Sequence, residues 1–481
     1  MIDKKGSDNF MESIKFQRTV QLAKSTLILV FAKILSQGAS FLLLPIYTNK
    51  LSTAEYGTID LITTIILIGW PLVSIQIEMG VFRFFIISDS KKNESEVVTS
   101  GFGLLCINVL LLSVMYLIFT SIWNVQFSLY VWLLIVIEAY NAFLLQLCRA
   151  RGDNVGYGLC TSAIVIIKSV FCILFLLRYG LTIIGFLYSE LIAQLLGLIF
   201  LVYKSGIYEY VKANCFKLTL AADLLRYSIP LVFNQIASWV INFSDRIIIV
   251  MFLEVGANGI YSAASKLSNI IYGVLAMFNL AWAENITRNM QSNDNNRYIS
   301  KAFNVYLRLL LLAITIIIGV LACAFNLLIG MDYIDAYNHV PILLLAMVFS
   351  GAAAFLGSVY TAYGITKEIA ITTILTALIN IIINIGLISS IKIYAASIST
   401  LVAFFFLLVF RSIKLNKLKL LDIQMKGVYF SFVVYAATWI LYSKRMKTLC
   451  LLIVLLATVA LIKMVINETD YLKKRNRNMG E

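Results

Sequence analysis

Sixty per cent of the 481 residues are hydrophobic and only 13% are charged, too few charges to cover the surface of a water-soluble domain, so a soluble enzyme or binding module is excluded. Apolar runs of about 20 residues recur along the whole length, each long enough to cross roughly 30 Å of hydrocarbon. They are continuous, which excludes a β-barrel and leaves an all-α polytopic membrane protein; the net charge of +14 then points first to loop topology, and no nucleic-acid partner is expected.

Residues 1–24 are polar and mixed in charge, and the apolar run after them is too long for a signal sequence. The expectation is a cytoplasmic N-terminal segment with no cleavable leader. Fourteen spans follow. Helices 1–6 run near 25–48, 58–80, 101–122, 129–149, 159–178 and 181–203, forming an N-lobe over 25–204. An amphipathic cytoplasmic linker, 205–226, leads to a C-lobe over 227–413, with helices 7–12 near 227–253, 259–282, 303–330, 340–363, 369–390 and 392–411. A basic cytoplasmic loop at 414–426 precedes helices 13 and 14, near 427–443 and 447–466, and a basic cytoplasmic tail fills 467–481.

Counting charges fixes the expected orientation. With the N-terminus in the cytoplasm, 29 of the 39 Lys and Arg fall in cytoplasmic segments and 6 in external ones. Positive residues accumulate on the cytoplasmic side, so both termini are placed there. The runs "KLNKLK" (Lys414 to Lys419) and "KKRNR" (Lys473 to Arg477) read as ordinary cytoplasmic anchors. The seven cysteines have no metal spacing and read as packing residues, and the single histidine, His339, cannot support His-rich catalysis. No phosphate-loop motif is present, "RGD" at Arg151 to Asp153 lies in a cytoplasmic loop, and no cofactor or metal site is expected.

The stretch "LVFAKILS" from Leu29 is echoed as "LVFNQIAS" from Leu231. Sliding the chain by 202 residues gives nine identities between positions 29 and 57, ending with Phe41 on Phe243, Ile46 on Ile248, Leu51 on Leu253 and Gly57 on Gly259. The shift carries span one onto span seven. An even number of spans separates the copies, so both face the same way. The expected architecture is two six-helix lobes related by a pseudo-two-fold along the membrane normal, with two C-terminal helices appended. Such a pair of lobes suggests a transporter that alternates access to a substrate held between them.

Four cations remain inside spans: Lys33, Lys168, Arg246 and Lys266. Each costs about 2.5–3.5 kcal/mol at mid-bilayer, so such residues face a wet interior or find partners. Polar residues at helical spacing surround them: Gln37 and Ser40 beside Lys33; Gln235, Ser238 and Asn242 before Arg246; Asn269 after Lys266; Asn380 and Asn384 in span eleven. These predict a hydrated cavity. Among the acids, Glu78, Glu138, Glu190 and Asp245 are candidates either for salt bridges or for coupling to a proton or sodium gradient, with Glu138 and Lys168 at matching depth. Pro71, beside Gly69, is the candidate hinge, since a proline frees a carbonyl and bends its helix.

The stretch "FAKILSQGASFLLLPIYTNKLSTAEYGTIDL" (Phe31 to Leu61) resembles the opening of bacterial polysaccharide flippases, the Wzx-type members of the MOP exporter superfamily. "SDRIIIVMFLEVGANGIYSAASKLS" (Ser244 to Ser268) is similar to the matching second-lobe segment. The resemblance implies a MOP/MATE-like fold in a bacterial cytoplasmic (inner) membrane and no enzymatic activity. It implies a cargo of undecaprenyl-pyrophosphate-linked oligosaccharide, the repeat unit of O-antigen, lipopolysaccharide, capsule or a related polymer. A polysaccharide polymerase, chain-length machinery and membrane lipids become expected partners. Arg246 and Lys33, then Lys266 and Lys168, become the candidates for contact with the pyrophosphate head. A MATE-like cation or drug antiporter is the first rival; an integral-membrane polymerase or ligase is the second, and the short external loops speak against it.

Overall fold

The computed structural model describes residues 38–39, 41–288, 295–422 and 425–479, and all regular structure among them is helical. Eleven helices are long and apolar enough to cross a membrane, and Gly427–Ser443 is a shorter apolar helix. The expected first span lies mostly outside the described residues; its end appears as α1 (Leu44–Lys50). The expected eighth span forms a helix of 34 residues, Val255–Arg288, but Ser262, Ser265, Lys266, Ser268 and Asn269 make it too polar to count as a crossing helix by composition. The remaining predicted spans coincide with helices.

The expected second span is interrupted. Helix α2 (Thr53–Ser74) contains Pro71 within it, and the chain leaves helical geometry four residues later, at Ile75 and Gln76, both at positive φ, before α3 (Ile77–Ile86) begins. A left-handed isoleucine is costly. Local bonds hold the break: Asn108 Nδ2 donates to the Val73 carbonyl at 2.5 Å, and the Gln76 amide donates to Ser74 Oγ at 3.1 Å. The bend expected at Pro71 is therefore displaced to the residues after it.

The chain divides into two compact units. In the first, which includes residues 59–240, α3 packs on α4 (Lys91–Ile122) and α5 (Ser128–Ala150), and α5 packs on α7 (Ile183–Ser205), itself paired with α6 (Asn154–Arg178). Phe143, Leu144, Leu147, Cys148 and Leu187 fill its core. Only 6% of the apolar window of α4 is buried, whereas its first turns, through Gly101, are packed in the unit. Helix α8 (Ile207–Tyr210) closes the unit's linker, and α9 (Leu218–Phe252) contributes residues to both units.

The second unit takes Leu44–Thr58 and Ile241 onward. It comprises α10 (Val255–Arg288), α11 (Asn295–Leu328), α12 (Ala336–Ala362), α13 (Thr366–Ile391), α14 (Ile393–Lys417), α15 (Met425–Ser443) and α16 (Lys447–Met479). Helix α12 is its axis, with 78% of the spanning window buried and α10, α11 and α14 around it. Trp282 stacks on Phe355 with ring centroids 4.1 Å apart. Within this unit, the starts of α2 and α10 meet backbone to backbone. A Cβ on Gly57 would strike the carbonyl oxygen of Val255, and one on Gly259 would strike that of Thr53. These four positions are related by the 202-residue shift, so the contact is reciprocal, as a local two-fold requires.

Helix α15 is fastened at a proline of α12. Pro341 has no amide hydrogen, which leaves the carbonyl of Tyr337 without its helical donor. Tyr442 Oη supplies one at 3.2 Å, while Tyr337 Oη donates to the Tyr442 carbonyl at 2.9 Å and the rings stack at 3.8 Å. Tyr435 Oη donates to the Pro341 carbonyl at 2.6 Å. Tyr442→Phe should lower stability by about 1–3 kcal/mol, the cost of a buried carbonyl left unpaired. Pro341→Ala, which restores the helical amide, should recover most of that loss when thermal unfolding of the double variant is followed in detergent.

Candidate functional site

Asp245, on α9, is the focus of the second unit. Its side chain is buried and accepts three hydrogen bonds: from Tyr261 Oη of α10 at 2.8 Å, Asn384 Nδ2 of α13 at 2.8 Å and Thr400 Oγ1 of α14 at 2.7 Å. Four helices thus converge on one carboxylate. Asn380 Nδ2 adds a contact to Thr400 Oγ1 at 3.3 Å. The side-chain oxygens of Asn380, Asn384, Ser244 and Ser262 are buried and lack a hydrogen-bond partner among the described residues. A carboxylate bonded to Asn384, whose own amide oxygen lacks a partner among the described residues, offers hard oxygen donors, suited to a proton or a small alkali cation and unsuited to a soft metal. Among the described residues, no group of three or more His, Cys, Asp or Glu could hold a metal ion.

Arg246 follows Asp245 and is also buried. Its Nη1 donates to the Asn242 carbonyl at 3.1 Å, and its guanidinium carbon lies 5.1 Å from the Phe243 ring and 5.9 Å from that of Tyr261. Tyr261 therefore links the two charges, donating to the acid while its ring faces the base. Before it on α9, Gln235 is half-buried while Ser238 and Asn242 are exposed; on α10, Lys266 and Asn269 are exposed. Lys33, Gln37 and Ser40 lie outside the described residues.

The first unit holds a separate polar network. Lys168 forms an ion pair with Glu190, and its ammonium sits 4.7 Å from the Phe186 ring centroid. Glu138, which the matching depth had offered as the partner, is joined instead through Gln194, whose Nε2 lies 3.4 Å from Glu138 Oε1 and 3.4 Å from Glu190 Oε1. Asn141 Nδ2 orients that amide, donating to Gln194 Oε1 at 2.8 Å. Glu78 stands apart on α3, buried. His339, 3% exposed, meets Ser397 Oγ at 3.0 Å and packs against Tyr394, which makes it a core residue.

One buried cation escaped the sequence reading. Arg411, the last residue of the expected twelfth span and not singled out there, is only 6% exposed. Its Nη1 donates to the Ala353 carbonyl at 2.6 Å, and Nε and Nη2 reach Thr372 and Thr373 at 3.5 and 3.4 Å. The available signal was the row Thr372, Thr376, Asn380 and Asn384, a four-residue period of polar groups, all of them buried. Helix α13 is polar inward and apolar outward, which identifies a helix facing lipid.

Comparison with known proteins agrees with this architecture. The family described as "Polysaccharide biosynthesis protein" matches residues 22–283. No curated protein matches the sequence significantly. Among solved structures, "Lipid II flippase MurJ, inward closed conformation" aligns with a TM-score of 0.70 at 15% identity, covering 94% of this chain and 99% of that one. "Inward-facing conformation of a multidrug resistance MATE family transporter of the MOP superfamily" aligns with a TM-score of 0.65 at 14% identity, over 83% of this chain and 98% of that one. A Vibrio cholerae MATE transporter gives 0.51 at 16% identity, over 86% and 99%. At these identities the likeness establishes the fold, the all-α MOP/MATE-like arrangement that the sequence led us to expect.

Lys168→Met leaves Glu190 without its cation and should cost about 1–3 kcal/mol, less than a fully buried pair because both side chains are partly exposed. The double variant Lys168→Met/Glu190→Gln should unfold at a temperature closer to that of the parent. Thermal melts in detergent check both.

Proposed function

Because the chain belongs to the polysaccharide biosynthesis protein family, we propose that it is a flippase carrying an undecaprenyl-pyrophosphate-linked oligosaccharide from the cytoplasmic to the outer leaflet of a bacterial cytoplasmic membrane, without enzymatic chemistry of its own. The observation that carries the reading is the family match over residues 22–283, which takes in Lys33, Lys168, Arg246 and Lys266. A pyrophosphate cannot cross hydrocarbon exposed, and a fixed cation in a low-dielectric setting is a strong partner for it. Arg246 is our first candidate for that contact, with Lys33 on the matched span and Lys266 on α10. Lys168 is paired with Glu190, which ranks it below the other three for that contact. Gln37, Ser40, Gln235, Ser238, Asn242 and Asn269 would line the sugar's path.

Transport against a gradient needs a coupled ion. Asp245, with Asn380, Asn384 and Thr400, supports coupling to a proton or to sodium: binding there competes with the hydrogen bonds that tie α10, α13 and α14 to α9, so the ion's arrival and departure would alter how firmly those helices are held. A polymerase and chain-length machinery would receive the product on the outer side. The buried carboxylate also favours a second reading, a cation or drug antiporter of the MATE kind, in which Asp245 would bind the cargo itself.

In a strain whose only copy carries the change, Arg246→Ala should reduce surface polysaccharide about tenfold or more while membrane abundance stays unchanged, and Arg246→Lys should retain part of it. Unchanged polymer with both Lys33 and Arg246 replaced by alanine removes the assignment. In proteoliposomes, Asp245→Asn should abolish the dependence of flipping on the ion gradient while binding of the lipid-linked sugar persists. Loss of drug efflux without loss of polymer would favour the antiporter.

A further inference from the structure

In the second unit, a cavity of about 230 Å³ opens between the end of α12 and the facing ends of α13 and α14. Tyr360, Glu368, Thr372, Phe410, Lys414 and Lys417 line it. Lys414 Nζ lies 2.9 Å from Glu368 Oε1, which leaves Lys417 as the second cation on the wall. Behind the wall stands Arg411, whose partners, the Ala353 carbonyl and the hydroxyls of Thr372 and Thr373, are all neutral. Three cations against one carboxylate give the cavity an excess positive charge, suited to phosphate oxygens.

The cavity is not closed on its apolar side. Ile371 and Leu375 of its wall are exposed, and Leu378, Ile382 and Ile385 continue the same exposed face of α13. The steps of four, three, four and three residues keep these side chains in one seam. It runs for roughly 21 Å at 1.5 Å per residue, longer than the roughly 15 Å that one leaflet contributes to a 30 Å hydrocarbon core. The positive end sits at the beginning of α13 and the end of α14, the side to which the Lys and Arg count assigns the cytoplasm.

We propose that this cavity binds the phosphate of an anionic phospholipid of the surrounding bilayer, with one acyl chain lying along the apolar seam of α13. Charge complementarity selects the headgroup, and the continuous seam selects a lipid over a free anion. Size argues against the sugar-bearing cargo: pockets for drug-sized molecules hold about 300–1,000 Å³, more than is available here. The sequence reading had Lys414 and Lys417 as plain anchors; the cavity gives them a partner, in the manner of basic pockets between helices that hold lipid heads. The inference is independent of what the protein transports.

Native mass spectrometry of the full chain in detergent tests it, with phosphatidylglycerol, phosphatidylcholine or inorganic phosphate added in parallel. The parent protein should retain one phosphatidylglycerol and neither of the other two. Lys414→Gln/Lys417→Gln should weaken that retention roughly thirtyfold. Glu368→Gln removes the competing carboxylate and no cation, and should strengthen it. Equal retention of phosphatidylglycerol and phosphatidylcholine, retention of inorganic phosphate alone, or a Glu368→Gln variant that binds no more tightly than the parent each overturns the proposal. So does unaltered binding in a lysine double variant whose melting temperature matches the parent's.

Discussion

Hydrocarbon offers no hydrogen bonds, and that single fact dictates where the polar groups of this protein can be. A soluble domain can leave a stray carbonyl or carboxylate to water; a spanning helix cannot. Several buried polar side chains here draw neighbouring helices toward them. Asp245 draws three, from segments 16, 139 and 155 residues further along the chain. Arg411 draws α12 and α13 against α14. Even a missing amide has this effect, since the carbonyl that Pro341 leaves unserved is where Tyr442 attaches α15.

The two units meet this demand differently. In the first, opposite charges pair directly and amides bridge what remains: Lys168 with Glu190, then Gln194 and Asn141 reaching Glu138. Such a network ties α5, α6 and α7 together. In the second, the acid is held by neutral donors and the adjacent base by a carbonyl and aromatic faces. Around the acid, the side-chain oxygens of Asn380 and Asn384 lack a hydrogen-bond partner among the described residues. The convergence of three neutral donors on one carboxylate is why the proposed coupling falls on Asp245.

Much of this was legible in the sequence because the bilayer imposes long, uniform signals. Apolar length located eleven crossing helices, and a weak internal repeat pointed at Gly57 and Gly259, which prove to be in contact. What escaped has physical causes. The left-handed break at Ile75 and Gln76 follows Pro71 by several residues, and no local pattern announces a β-branched residue in that geometry. Arg411 sits one turn before the basic run that ends α14, so charge counting absorbed it. Tyr261 and Thr400 were passed over because a hydroxyl in an apolar run gives no hint of a carboxylate on another helix. For Asp245, Asn380 and Asn384, periodicity indicated the inward face but not the shared acceptor.

The glycine pair has a consequence for how this gene can change. Duplication normally frees one copy to wander while the other keeps the original task. At positions 57 and 259 that freedom is gone, because each residue occupies the space that a methyl group on its counterpart's helix would need. Neither half can acquire a side chain there alone, and a compensating change in the other would only add bulk to the same gap. Whatever divergence the halves have accumulated elsewhere, at this spot they inherit as one.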